Sequence, residues 1–248
     1  MLVVLTTQSI MNKYIDIHSH ILYGIDDGSK TIDESLEIIN KLKALGFVKI
    51  IITPHYISGT SYNADNNIKN NLLQDIKNQT DIDLYLGNEI FMADNLLELL
   101  NNKQISPINN SRYLLIEVPL TGRINGVENY LFTLINHGYK PIIAHPERYQ
   151  ILQEDPSLID KYIDMGVLFQ SNYTSITGRY GLKAQKLVKM YLKKGYISFL
   201  GTDIHHGHSH FYDDFPKAIK KISRIIGQDK INELSYINPL KVINNEII

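Results

Sequence analysis

Residues 14–28 read YIDIHSHILYGIDDG. The first residues, Tyr14 to His18, have the apolar character of a buried strand. Two histidines, His18 and His20, then flank a serine, and Asp26 and Asp27 follow before Gly28. The stretch is either the polar end of an ordinary strand or one part of a metal site. The rest of the chain decides between them, through what its other strands carry at the same end.

Thr31 stands three residues before Glu34, the spacing of a capping box. Ile32, Leu36, Ile39, Leu42 and Leu45 then follow helical spacing up to Gly46. VKIIITPH (48–55) is a β-branched run and predicts a buried strand. A polar helix over 66–78 leads to a third strand, DLYLGNEI (83–90), and a shorter helix. YLLIEVP (113–119) is the fourth strand, followed by a helix over GVENYLFTLINHG (126–138). KPIIAHPER (140–148), VLFQSNY (167–173) and YISFLGTDIH (196–205) are strands five to seven. The helices PSLIDKYIDMG (156–166) and GLKAQKLVKMYLKKG (181–195) lie between them. A last helix covers roughly 214–226, and the tail from Asp229 packs as another. Apolar strands alternating with helices imply a parallel sheet covered by helices, closed into a barrel or open and doubly wound.

Polar residues fall in one place along these strands. Strand one ends in His18 and His20, with Asp26 and Asp27 beyond, and strand two ends in His55. Strand three ends in Glu89, four in Glu117, five in His145, and seven in Asp203 and His205. A barrel gathers such ends on one face, where an open sheet spreads them along a line, so their recurrence favours the barrel. Buried histidines and carboxylates are costly without partners, and few lysines stand near them. Cations are therefore required. A His and carboxylate donor set without sulfur suits Mn²⁺, Fe or Zn²⁺, and there are enough donors for two or three ions.

The bulk numbers narrow the class. A chain of 248 residues accommodates one large α/β domain or two small ones. We assign 14–248 to a single domain and 1–13 to an N-terminal extension or loose arm. A formal net charge of −1 argues against a general nucleic-acid binder, though not against a locally positive pocket. No cysteine is present, which excludes thiolate chemistry and suits the cytoplasm. No apolar run approaches the roughly 18 residues of a membrane span, so stable membrane insertion is not expected.

As an ordered set, DIHSH, TPH, GNEI, LIEVP, AHPERY and GTDIHH resemble the successive motifs of the PHP (polymerase and histidinol phosphatase) superfamily. DIHSHILYGIDDG with AHPERY is similar to its bacterial capsule and exopolysaccharide branch of metal-dependent protein-tyrosine phosphatases. The resemblance runs from about Tyr14 to the C-terminus. It implies a distorted seven-stranded (β/α) barrel, TIM-like, with a trinuclear metal centre. His18, His20, Glu89 and Asp203 would hold one ion, and Glu89, Glu117 and His145 a second. Asp27, His55 and His205 would hold the third, with Asp26 behind them or serving the turn. Asp16 would orient a ligand.

Arg148 would bind the substrate phosphate through its planar fork. The alternative is a surface arginine paired to Glu147. The branch often has a second arginine in the loop after the last DxH, where this chain reads HGHSHF. His208, His210 or Arg179 would stand in for it. The implied reaction is phosphotyrosine hydrolysis by attack of a metal-bound hydroxide, with His55 or His205 or a metal-bound water protonating the leaving group. The implied partner is a bacterial tyrosine kinase controlling capsule or exopolysaccharide synthesis. A histidinol-phosphate or other small-molecule phosphatase, a polymerase-type nuclease and a non-catalytic metal-stabilised scaffold are the competing readings.

Overall fold

A computed structural model describes residues 13–122 and 126–248. The expected N-terminal arm therefore lies, apart from Lys13, outside the described residues. The strands are β1 (Tyr14–Asp16), β2 (Phe47–Ile52), β3 (His55–Tyr56), β4 (Asp83–Leu86), β5 (Glu89–Phe91), β6 (Tyr113–Glu117), β7 (Lys140–Ala144), β8 (Leu168–Asn172) and β9 (Phe199–Gly201). The helices are α1 (Ile32–Ala44), α2 (Asn66–Lys77), α3 (Leu96–Asn101), α4 (Val127–Asn136), α5 (Gln150–Glu154), α6 (Ile159–Asp164), α7 (Gly181–Lys194), α8 (Phe211–Asn232) and α9 (Asn238–Ile243).

Every strand pairing is parallel, in the orders β1-β2-β4 and β3-β5-β6-β7-β8-β9. The expected seven-stranded ladder is thus not continuous. Two of the predicted strands are each split in two. Pro54 has no N–H to give to a ladder, and it separates β2 from β3. Gly87 and Asn88 separate β4 from β5. Single hydrogen bonds cross these gaps: Thr53 N to Ser19 O (2.8 Å), Gly87 N to Ile52 O (2.9 Å) and Glu89 N to Pro54 O (3.1 Å). Between the first and last strands there is one parallel bridge, Ser19 with Ile204. Asp203 N donates to His18 O and His20 N to Ile204 O, both at 2.9 Å.

The predicted caps form with one change. Thr31 Oγ1 accepts from Glu34 N (3.2 Å), but Glu34 reaches back to Lys30 N (2.8 Å) rather than to the cap residue. A short helix, α5, follows the AHPER segment where none was expected. The two helices expected over about 214–226 and from Asp229 both form, the first beginning at Phe211 and the two running together as α8 across the non-helical Gly227 (φ 78°).

The strands are buried on both sides. Ile15, Ile17, Ile51, Tyr113, Leu115, Ile142 and Phe199 form an inner cluster with Val242 and Ile243 of α9. Alternate residues such as Leu114, Ile116 and Ile143 pack outward with the helices. Side chains two apart on a strand share a face. The inner row of β6 therefore reads Tyr113, Leu115, Glu117, apolar first and ionisable at its C-terminal end. Tyr113 Oη donates to Glu246 O (2.5 Å), which ties the C-terminal segment to the apolar end. The other end is left for the polar side chains.

Gly28 closes the turn after the histidines. A Cβ on it would lie 2.2 Å from His20 O and 2.6 Å from His20 Cβ. Gly28→Ala should therefore cost about 3 kcal/mol or more and displace His20. A thermal melt with metal analysis checks this, and an alanine variant that melts and loads metal like the wild type would sink it.

Candidate metal centre

The structure brings all nine proposed donors to one mouth. His18, Ser19 and His20 follow β1 as extended chain. Ser19 turns away and anchors to β2, its Oγ donating to Ile51 O (3.0 Å) and its N to Thr53 Oγ1 (3.1 Å). The two histidines then face inward together. Their Nε2 atoms are 3.2 Å apart, and each lies 3.2 Å from Glu89 Oε2. Asp203 Oδ1 is 3.4 Å from one and 3.5 Å from the other.

Three sets of donor atoms lie within 4.8 Å of one another: His18, His20, Glu89 and Asp203; His20, Asp27, His55 and His205; and His55, Glu89 and Glu117. The first equals one implied ligand set. The second contains another, with His20 added. The third holds Glu89 and Glu117 with His55 where His145 was expected. His145 approaches the same two carboxylates, its Nε2 2.9 Å from Glu89 Oε1 and 3.7 Å from Glu117 Oε1.

The tautomers show that cations fit here. His18 Nδ1 meets Gln170 Oε1 (2.8 Å) and His20 Nδ1 meets Asp26 Oδ2 (2.9 Å), so both Nδ1 atoms donate. In the neutral rings, both Nε2 lone pairs then point at each other and at two carboxylates. Such an arrangement is repulsive unless protons or metal ions lie between. Three more buried atoms of the donor residues, His55 Nδ1, Glu89 Oε2 and His145 Nδ1, make no hydrogen bond.

Without cations, His18, His20 and Glu117 would hold the protons there, while Glu89 and Asp203 stay ionised. Burial alone would push His18 down, but Glu89 and Asp203 pull it up to about 9. Burial and the Glu89 charge push Glu117 up to about 8. Burial and His20 drive His205 down to about 4, and burial lowers His55 as well. Both of these rings are neutral lone-pair donors near pH 7.

The supporting residues are fixed in turn. Asp26, on which the sequence left two roles open, takes both. It binds the His20 ring and accepts from Gly28 N (2.9 Å) and His55 N (3.0 Å). Asp16 accepts from Thr202 N (2.9 Å) and Thr202 Oγ1 (2.5 Å), locking β1 to the segment that carries Asp203. His145 and Asp203 have φ of 33° and 53°. Such left-handed backbone costs about 1–3 kcal/mol per residue and is concentrated at functional positions.

Arg148 does not pair with Glu147. Glu147 is fully buried and accepts from Ser171 Oγ (2.8 Å), Asn172 N (2.9 Å) and Ser175 Oγ (2.5 Å). Arg148 instead donates to Asp203 Oδ2 (3.0 Å), with its guanidinium 4.8 Å from the Tyr180 ring centre. Asn172 Nδ2 donates to Asp203 Oδ2 (2.8 Å) and to Tyr180 Oη (3.2 Å). A cavity of about 480 Å³ opens here, lined by Arg148, Asp203 and His205 and by all three proposed stand-ins, Arg179, His208 and His210. Gln170, Asn172 and Tyr180 do not stand out in the sequence as site residues. Strand six showed no ionisable residue, and its signal was only a Gln and an Asn two apart in an otherwise buried run.

A parallel α/β fold with His, Asp and Glu pooled at its strand ends defines the class of a candidate metal-dependent hydrolase. The chain belongs to the capsular polysaccharide synthesis CpsB/CapC family, whose model matches residues 14–244. It is 36% identical over 197 residues to the putative tyrosine-protein phosphatase CapC of Staphylococcus aureus, covering 77% of this chain and 76% of that one. It is 31% identical over 247 residues to the tyrosine-protein phosphatase CpsB of Streptococcus pneumoniae, covering 94% of this chain and all (100%) of the relative. Among solved structures, it matches one from a study of YwqE of Bacillus subtilis and CpsB of Streptococcus pneumoniae, described as unique metal-dependent tyrosine phosphatases. The TM-score is 0.84 at 26% identity, covering 94% of this chain and 96% of that one.

Metal uptake should be coupled to proton loss. Cations must displace the protons that His18 and Glu117 carry at pH 7, so affinity rises with pH up to about 8 to 9 and falls in acid. Calorimetry in buffers of different ionisation heat reads the released protons, and a binding heat independent of buffer would contradict this account.

Proposed function

We propose that this chain is a metal-dependent protein-tyrosine phosphatase. Its substrate is a phosphotyrosine protein of capsule or exopolysaccharide synthesis, and the partner we favour is a bacterial tyrosine kinase. The convergence of nine His, Asp and Glu donors with Arg148 at one mouth carries the reading, and it agrees with the names of the relatives. We further propose that the seven strand units curve into a distorted barrel around that mouth, and that the protein works in the cytoplasm. Among the described residues, no helix is long and apolar enough to cross a membrane.

We assign His18, His20, Glu89 and Asp203 to one cation, Glu89, Glu117 and His145 to a second, and Asp27, His55 and His205 to a third. Two or three ions of the Mn²⁺, Fe or Zn²⁺ type, when bound, would activate water and offset the charge of the phosphate. The protein's own groups do the rest. Gln170 and Asp26 keep the Nδ1–H tautomers of His18 and His20, so that both Nε2 lone pairs face the centre. Neutral His55 and His205 suit lone-pair donation better than proton delivery to the leaving phenolate. Arg148 uses Nη1 on Asp203, and no other hydrogen bond engages its fork among the described residues. The remaining N–H groups are free to take phosphate oxygens in the cavity.

Arg148→Ala should lower kcat on a phosphotyrosine peptide by about 10²–10³-fold, with metal content unchanged. Arg148→Lys should recover little, because the planar fork is lost. Near-normal turnover in the alanine variant would remove Arg148 from the site, and a preference for histidinol phosphate over the peptide would sink the assignment of substrate.

A further inference from the structure

The net charge of −1 conceals a strong asymmetry. Residues 179–224 contain ten Lys and Arg against three Asp and no Glu, so the rest of the chain is acidic. Helix α7 has five lysines and no acid. Elsewhere four lysines form ion pairs among the described residues, as in Lys41 with Glu37 (2.6 Å) and Lys230 with Glu233 (2.6 Å). In the basic segment, among the described residues, one such pair forms: Lys217 with Asp214 (3.2 Å).

Three of these cations line a defined feature. A groove of about 730 Å³ runs between the Thr177–Tyr180 turn and the first half of α8, with Arg179 on one side and Lys217 and Lys221 on the other. Asp214 offsets Lys217, while Arg179 and Lys221 have no acid partner among the described residues. Arg179 and Tyr180 also wall the cavity that contains Arg148, Asp203 and His205. The groove therefore continues outward from the mouth. A chain whose phosphorylated side chain enters the mouth can leave past these two residues. An extended peptide advances about 3.3–3.6 Å per residue, so residues flanking the phosphotyrosine can extend into a groove that shares this wall.

We propose that the Arg179, Lys217 and Lys221 groove binds acidic residues flanking the phosphotyrosine, so that the protein selects acidic phosphopeptide segments. This rests on the phosphatase reading and adds the substrate class. An anionic membrane surface would also meet a basic face. The continuity of groove and mouth favours the peptide, because a membrane contact has no need of a shared wall with the site.

The test uses the metal-loaded full chain, three substrates and one double variant. The substrates are a phosphotyrosine peptide with acidic flanks, the same peptide with neutral flanks, and p-nitrophenyl phosphate. The wild type should favour the acidic peptide in kcat/KM by about tenfold at low salt, with the gap closing as salt screens it. Lys217→Gln with Lys221→Gln should abolish the preference through KM and leave p-nitrophenyl phosphate unaffected. Both side chains are solvent-facing, so the variant should fold. Equal rates on the two peptides in the wild type, or a preference that survives in the variant, overturns the inference while the phosphatase reading stands. Absence of turnover on all three substrates overturns both. Binding to phosphatidylserine vesicles that depends on the two lysines, without any peptide preference, assigns the face to membrane and also overturns it.

Discussion

The constraint on which the structure depends is the meeting of His18 Nε2, His20 Nε2 and Glu89 Oε2 at 3.2 Å, fully buried. No arrangement of neutral rings and ionised carboxylates is stable there unaided. Positive charge must enter, as protons or as metal. Much of the surrounding hydrogen bonding fixes which atoms face that charge. Gln170 and Asp26 set the ring tautomers, Ser19 turns its neighbours inward, and Asp16 fastens the two strand ends that supply His18 and Asp203. A metal site built in this way is specified by its outer contacts as much as by its ligands.

The same demand explains where regular structure gives way. A ladder of unbroken strands would keep side chains in strict alternation and could not aim every donor at one point. The chain departs from it at Pro54, at Gly87 and Asn88, and at the left-handed His145 and Asp203. Each departure lies at or just before a donor. Buried contacts hold these positions: Glu147 grips Ser171, Ser175 and the backbone of Asn172, and Asn172 in turn holds Asp203. The apolar rows beneath, closed by Val242 and Ile243, give this irregular rim a rigid base.

These physical differences also separate what was legible in the sequence from what was not. Helix α1 could be read because its cap and its apolar spacing are local. The donors could be read because His, Asp and Glu are conspicuous at the ends of apolar runs. The change of sheet at Pro54 is not legible although its cause, a missing N–H, stands in the sequence; a single proline does not say which neighbour the next strand will pair with. Gln170 and Asn172 were passed over because they carry no charge, and their importance comes from Glu147, Asp203 and Tyr180, which tertiary structure alone brings near. Arg148 was found, but the choice between Glu147 and a site role was not open to sequence, since it turned on the burial of Glu147.

The distribution of charge follows from the same division of labour. The mouth concentrates carboxylates, and bound cations would reverse its sign. A phosphate is then drawn to the mouth itself, but the rest of a protein substrate meets whatever surface adjoins it. Here that surface is the groove of Arg179, Lys217 and Lys221, on a chain whose remainder is acidic. Like-charged side chains on one face repel each other and contribute nothing to folding. The placing of Arg179 and Lys221 beside the mouth without an acid partner among the described residues is accounted for by a substrate that brings the missing negative charge with it.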